Sequence, residues 1–156
     1  MSDDLINNPF LWYSLVAVFL LVIGWRIFER RWDSRIFDKD RKGVFKNLHA
    51  KAALFAYDHV KGLVPVDVRS YKEFEQGHIP GAINATVKDS RVEAGPLEGL
   101  DREVPVLVYC EGGYASRKTV ELLKEMGVHT IYHIHRGFKS WQFYGGAVES
   151  GAAEGA

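Results

Sequence analysis

An α/β domain built on a parallel sheet flanked by helices, and preceded by one transmembrane helix, is the architecture that this 156-residue sequence predicts. Three observations predict it. Residues 5–25 form a run of 21 without a formal charge. Beyond residue 50, short apolar runs alternate with helix-like segments, and that alternation implies a parallel sheet covered on both faces. The most apolar of these runs, 104–109, leads directly into the chain's single cysteine, Cys110. About 100 residues lie between the basic stretch and the tail, enough for one core.

The first element is the uncharged run. Residues 10–25 are apolar or nearly so, with Ser14 and Gly24 as small interruptions. At 1.5 Å per residue, such a helix spans about 31 Å, close to the hydrocarbon thickness of a bilayer. Trp12 and Tyr13 stand near one end and Trp25 and Trp32 near the other, the pattern of interfacial aromatic belts. Residues 1–9 carry Asp3 and Asp4 and no basic side chain, whereas residues 26–46 carry eight Lys or Arg. That asymmetry predicts a single-pass protein of the cell (inner) membrane, N-terminus outside and the remaining chain in the cytoplasm. A cleaved signal peptide would instead want a basic start and a small-residue cleavage site. A buried globular helix would want a larger soluble body around it.

The expected boundaries are 1–32 for the tail and membrane helix, 33–46 for a basic linker, 47–147 for the domain and 148–156 for a disordered tail. Lys+Arg and Asp+Glu number 20 each, but unevenly placed. Residues 47–156 hold 12 basic and 14 acidic side chains, which gives no basic face for nucleic acid. One cysteine excludes an internal disulfide, a two-cysteine redox pair and a cysteine-rich zinc site.

Within the domain, residues 50–59 read as a helix with Ala52, Ala53, Phe55 and Ala56 near one face, closed by Gly62. Residues 63–68 read as a strand, with Pro65 best placed at its start. Ser70 and Glu73 form a capping-box pattern that opens a short helix stopping at Gly77. Residues 82–84 make a second short strand, and 88–101 a loop with room for a helical turn. Residues 104–109 read as the buried central strand. Residues 115–126 form a helix with Val120, Leu122, Leu123 and Met126 at core spacing and Gly127 behind its end. Residues 130–134 make another strand, and 138–144 a last helix.

Cys110 stands where a parallel sheet places its ligand sites, at the carboxyl end of a strand. Gly112 and Gly113 let the backbone turn tightly and aim N–H groups inward. A helix N-terminus follows, and Arg117 adds a positive charge. All of these favour a thiolate over a thiol. A small, inert, buried cysteine is the plainer reading.

Asp67-Val68-Arg69, Glu73-Phe74, the string Gly77-His78-Ile79-Pro80-Gly81-Ala82-Ile83-Asn84, the Cys110 loop, and Arg136-Gly137-Phe138 with Trp141 resemble the rhodanese domain over residues 47–145, in the right order. The resemblance implies a sulfurtransferase without a cofactor or metal. Cys110 would accept sulfane sulfur from thiosulfate, polysulfide or a persulfide. It would hold that sulfur as a persulfide and pass it to a thiol, cyanide or a sulfur-carrier protein. The amides of Glu111, Gly112, Gly113, Tyr114 and Ala115 would cradle the outer sulfur, with Arg117 as a further substrate contact. Where many relatives carry a cation at the sixth loop position, this chain has Ala115. Where relatives often pair two glycines before the last helix, it has Arg136-Gly137.

Asp67, Arg69 and His78 read as structural supports, and Phe138 and Trp141 as core or pocket wall. His129, His133 and His135 lack the carboxylate or cysteine partners of a metal site. Two other functions fit less of the sequence. A cysteine-loop phosphatase needs five residues between Cys and a clamping Arg, and that count lands on Ser116, one place before Arg117. A non-catalytic, membrane-tethered interaction module would have no need of Cys110.

Overall fold

Val, Leu, Ile and Tyr make the sheet, because branched and aromatic side chains pack well on a pleated surface. The computed structural model describes residues 9–37, 44–88, 91–92 and 95–151. It divides into two units, residues 1–41 and 42–156.

In the second unit the strands are β1 (Phe45–Leu48), β2 (Val64–Asp67), β3 (Ile83–Asn84), β4 (Val87–Lys88), β5 (Arg91–Val92), β6 (Val106–Tyr109) and β7 (Ile131–Ile134). The helices are α2 (Ala50–His59), α3 (Tyr71–Gln76), α4 (Ser116–Glu125) and α5 (Gly137–Phe143). Among the described residues, one five-stranded sheet runs in the order β1-β7-β6-β2-β3, with every paired neighbour parallel. β6 is the middle strand and is buried throughout, which fits its unbroken apolar sequence. β4 and β5 form a separate antiparallel pair, and Gly95–Leu97 a 3-10 turn, inside the stretch read from sequence as a loop.

The pleat sorts side chains to two faces. Leu107, Tyr109 and Ile134 face one layer, where they pack with Ala53, Phe74, Ile79, Ala82, Phe138 and Trp141. The alternate residues Val106, Val108 and His133 belong to the opposite face, and Val108 pairs with His133 in the β6–β7 register. Asn47 pairs with the same His133 from β1.

Several expectations shift. β1 lies partly in the stretch expected to be a linker; its sequence, Phe-Lys-Asn-Leu, is too short and polar to stand out, and it is a strand because it pairs with β7. α2 buries Ala50, Ala53 and Ala56, whereas Ala52 is exposed and Phe55 stacks on His59 at 4.1 Å in solvent. The burying face is therefore an i, i+3 stripe that keeps Ala53 and Ala56 of the face read from sequence and leaves out Ala52 and Phe55. α4 buries Ser116, Thr119, Val120 and Leu123, while Leu122 and Met126 are half-buried. Pro65 stands second in β2. The Val64 and Val68 amides bond to the β6 side, so the Pro65 nitrogen faces β3, which pairs with β2 only from Val66 onward. No ladder bond is lost there.

Two residues expected in the disordered tail, Glu149 and Gly151, are hydrogen-bonded to the domain. The His78 and Glu149 backbones exchange hydrogen bonds at 2.8 and 2.9 Å, and the Gly151 amide donates to Glu75 O at 3.0 Å. Residues 152–156 of the expected disordered tail lie outside the described residues.

The first unit contains α1 (Pro9–Phe37), 29 residues in one continuous helix. The helix therefore runs five residues into the expected linker. Its described apolar side chains are exposed, among them Phe10, Leu15, Phe19, Leu21 and Trp25. Among the described residues no helix is long and apolar enough to cross a membrane, so the expected span is not found there. Residues 5–8 of that span lie outside the described residues.

Candidate active site

Cys110 leaves the end of β6 and enters a loop that two glycines keep closed. Gly113 has φ +89°, and a Cβ there would lie 2.1 Å from the His135 carbonyl oxygen. Gly137 has φ +59°, and a Cβ there would lie 2.1 Å from the Cys110 carbonyl oxygen. Both positions accept only glycine, for conformation and for room. The close approach lets the first amides of α5 cap the loop: Phe138 N–H donates to Cys110 O at 2.8 Å, and Lys139 N–H to Glu111 O at 3.3 Å. A single glycine, Gly137, does this where the sequence carries Arg136 in place of a second.

The cysteine is 95% buried, and its sulfur receives two donors. Gly113 N–H points at Sγ from 3.1 Å. The Ser116 hydroxyl, at the first turn of α4, lies 3.3 Å from Sγ. A donor amide and a hydroxyl at the first turn of α4 thus converge on one sulfur. Ser116 occupies the place where a phosphatase loop needs its clamping arginine.

Behind Ser116 stands a chain of neutral side chains. Ser116 Oγ is 2.7 Å from His133 Nε2, and His133 Nδ1 is 2.9 Å from Asn47 Oδ1. Asn47 Nδ2 is in turn 3.3 Å from His135 Nδ1. Burial, then the positive charge of Arg117, then His135, push the His133 imidazole down from the ordinary 6.5 to about 3. It is therefore neutral at physiological pH. Sequence reading noticed His133 only as a metal candidate and missed Ser116 and Asn47 as neighbours of the site. A hydroxyl six residues after the cysteine was the one local signal; the His133–Asn47 pair depends on strand pairing between residues 86 apart.

A charged cluster supports the loop on its other flank. Arg69 Nε bonds both Asp67 carboxylate oxygens at 3.0 Å, Nη2 bonds Oδ2 at 2.6 Å, and Nη2 also reaches Gly77 O at 2.6 Å. The guanidinium carbon stands 4.0 Å from the Phe138 ring centroid. Glu111 turns its carboxylate to Arg69 at 3.3 Å and Lys139 at 3.6 Å, so these cations hold it. His78 stacks on Phe74 at 3.7 Å and bonds Phe74 O and the Glu149 carboxylate. Arg117 lies with its guanidinium 4.9 Å from the Tyr114 ring centroid, beside the loop. Gly112, Tyr114 and Ala115 are exposed and leave the loop open to solvent.

Residues 50–143 match the model of the Rhodanese-like domain. The thiosulfate sulfurtransferase GlpE of Coxiella burnetii is 33% identical over 91 residues, covering 57% of this chain and 82% of that protein. The thiosulfate sulfurtransferase GlpE of Pseudomonas entomophila is 32% identical over 111 residues, 70% of this chain and 97% of that protein. A rhodanese-related protein from Thermoplasma volcanium superposes with a TM-score of 0.55 at 27% identity, covering 67% of this chain and 97% of that one. The family match takes in α2 to α5 and the whole cysteine loop, well over half of the sequence, and on that ground the chain belongs to the rhodanese-like domain family.

Proposed function

We propose that this protein is a membrane-anchored sulfurtransferase that carries sulfane sulfur as a persulfide on Cys110. The observation that carries the proposal is the sulfur itself: a cysteine at the end of a central strand, with an amide and a hydroxyl aimed at Sγ. The same two donors suit the thiolate before the reaction and the anionic persulfide after it.

In the first step the Cys110 thiolate attacks the outer sulfur of a donor such as thiosulfate. The new S–S bond forms as the donor's own S–S bond breaks, and sulfite departs with that bond's electron pair, leaving Cys110–S–S⁻. In the second step a thiolate or cyanide attacks the outer sulfur. The Cys–S bond to it breaks, Cys110 recovers its thiolate, and a persulfide or thiocyanate leaves. With one cysteine per chain, the sulfur goes to another molecule. Two half-reactions through one covalent intermediate give ping-pong kinetics. Ala115 puts no cation in the loop, so thiosulfate binds weakly and a thiol-bound persulfide on a partner protein is the better donor.

The assay is cyanide-dependent thiocyanate formation with thiosulfate and, separately, with a glutathione persulfide donor. Turnover with parallel double-reciprocal lines, abolished by Cys110→Ala, supports the proposal. A Cys110→Ala protein with unchanged turnover would overturn it.

Membrane anchoring rests on the uncharged run of residues 5–25, the exposed apolar side chains of α1 and the eight basic residues that follow. The orientation proposed is N-terminus outside and domain in the cytoplasm. Cell fractionation tests it: the chain stays with membranes through alkaline carbonate and leaves them only with detergent. Recovery in the carbonate-soluble fraction would contradict anchoring, while leaving the chemistry of Cys110 untouched.

A further inference from the structure

Arg136 is poorly suited to the helix it begins. It is the N-cap residue of α5, a position that Ser, Thr, Asp or Asn serves best, and its side chain makes no cap hydrogen bond. It also sets a full positive charge at the helix end where the peptide dipoles already leave positive charge. Arg136 is exposed, and among the described residues its side chain has no hydrogen bond, ion pair or ring contact. Nothing local offsets this choice of residue, and local rules broken in that way mark functional positions.

The cysteine loop fixes its place. The Arg136 amide nitrogen lies 3.3 Å from where a Cβ on Gly113 would stand, and a Cβ on the next residue, Gly137, would lie 2.1 Å from the Cys110 carbonyl oxygen. The Gly113 amide in turn reaches Sγ at 3.1 Å. These contacts put the Arg136 amide within about 9 Å of the sulfur, roughly one Debye length at about 0.1 M salt.

The charge around the loop is uneven. Arg117 holds its guanidinium 4.9 Å from the Tyr114 ring centroid, and Lys139 pairs with Glu111. Glu111, the acidic residue of the loop, turns to Arg69 and Lys139. Residues 47–156 hold 12 basic and 14 acidic side chains; without Arg117, Arg136, Lys139 and Glu111 the balance is 9 to 13. A mildly acidic domain thus gathers cations around its cysteine loop, while Ala115 leaves the loop itself without one.

We propose that Arg136 is a specificity-determining residue that draws to Cys110 those thiols and persulfides that carry a carboxylate near their sulfur. The proposal rests on the reading of Cys110 as a sulfur carrier, and it names the substrate class of that site. A charge at the rim suits a carboxylate a few bonds from the sulfur better than a sulfonate bonded directly to it. Two sources offer this chemistry: a small thiol such as glutathione, and a protein cysteine flanked by Asp or Glu.

The test uses the full chain and two alkylating reagents of similar size, iodoacetate and iodoacetamide, which differ by one negative charge. With both, the Cys110 thiolate displaces iodide, and no other cysteine contributes. The ratio of the two rates is the readout, because a change in thiolate population or in folding moves both rates alike. At low salt Arg136→Gln is expected to lower the iodoacetate-to-iodoacetamide ratio about threefold and Arg136→Glu about tenfold, while Arg136→Lys keeps it near wild type. At about 0.5 M salt the differences close. The source is read on sulfur-loaded protein with two acceptors, glutathione and a short peptide whose cysteine lies between two aspartates. A KM that rises in Arg136→Gln for glutathione supports the proposal with a small thiol as the source. A rise for the peptide alone supports it with an acidic protein.

A wild-type ratio in Arg136→Glu would overturn the proposal. So would a fall of both alkylation rates in step, which would assign Arg136 to the thiolate or to the fold. The alkylation contains no sulfur donor, so the two readings separate. A shifted ratio in a protein that takes up no sulfur would sink sulfur transfer and leave the charge selection standing. A wild-type ratio in a protein that loads sulfur normally would do the reverse.

Discussion

Two polar groupings flank Cys110, and they use opposite chemistry. On one side Asp67, Arg69, Glu111 and Lys139 form a chain of full charges. On the other, Ser116, His133 and Asn47 form a chain of neutral dipoles. The charged chain ties β2, the Gly77 turn and the loop together, and none of its charged atoms is bonded to Sγ. The neutral chain ends on Sγ. A fixed carboxylate beside the sulfur would oppose a second anion there, whereas a hydroxyl with a neutral backing adapts to thiol, thiolate or persulfide. The charges hold the shape of the site, and the dipoles are what touches the sulfur.

Removing one member of the charged chain is the largest disruption. Asp67 is fully buried, and Asp67→Ala leaves the Arg69 guanidinium buried without its bidentate partner. The expected cost is about 3–5 kcal/mol of unfolding free energy, read from the midpoint of urea denaturation. Replacing both residues together, Asp67→Leu with Arg69→Met, costs less than the sum of the single changes.

The neutral chain predicts a pH effect of intermediate size. The folded His133 is held at about 3 against 6.5 in the unfolded chain. As pH falls through that window, the unfolded state gains a proton that the folded state refuses. Stability from this group is therefore fully present above about 6.5 and is lost on acidification, by up to about 1.4 kcal/mol per pH unit. Urea titrations of the wild type and His133→Gln at several pH values between these limits check it, and the glutamine variant has the shallower slope. Equal slopes would mean that His133 is charged in the folded protein.

The smallest effect belongs to the exposed end of the charged chain. Glu111 is 40% exposed at its side chain, and its ion pairs with Arg69 and Lys139 are 3.3 and 3.6 Å long. Glu111→Gln is expected to change the thermal midpoint by the equivalent of less than about 1 kcal/mol. It is also expected to raise sulfur-transfer rates with anionic donors slightly, by removing a negative charge from the mouth of the loop. A drop in those rates would place Glu111 on the sulfur-handling side of the comparison.

The charged side of the site was the more legible in sequence. Asp67 and Arg69 are two residues apart on one strand end, and Ser70 with Glu73 caps the next helix as their spacing implies, with Ser70 and Glu73 hydrogen-bonding each other. Cys110 was legible because an apolar strand, two glycines and a helix surround it in sequence. The neutral side was not. Asn47 and His133 meet only because β1 and β7 pair in register, and nothing local in Phe-Lys-Asn-Leu announces a strand. The same limit misplaced the burying face of α2, where Phe55 looks like core in sequence and is solvent-exposed against His59. Likewise Glu149 is held by contacts with His78 and Gly81, residues far from it in sequence.

The central claim is that Cys110 carries sulfur, and one measurement addresses it directly. The full chain is exposed to thiosulfate and, separately, to polysulfide, then alkylated and digested, and the Cys110 peptide is weighed by mass spectrometry. The account predicts one added sulfur atom on Cys110, removed by cyanide with release of thiocyanate. A Cys110 peptide that stays unmodified under both donors would contradict it.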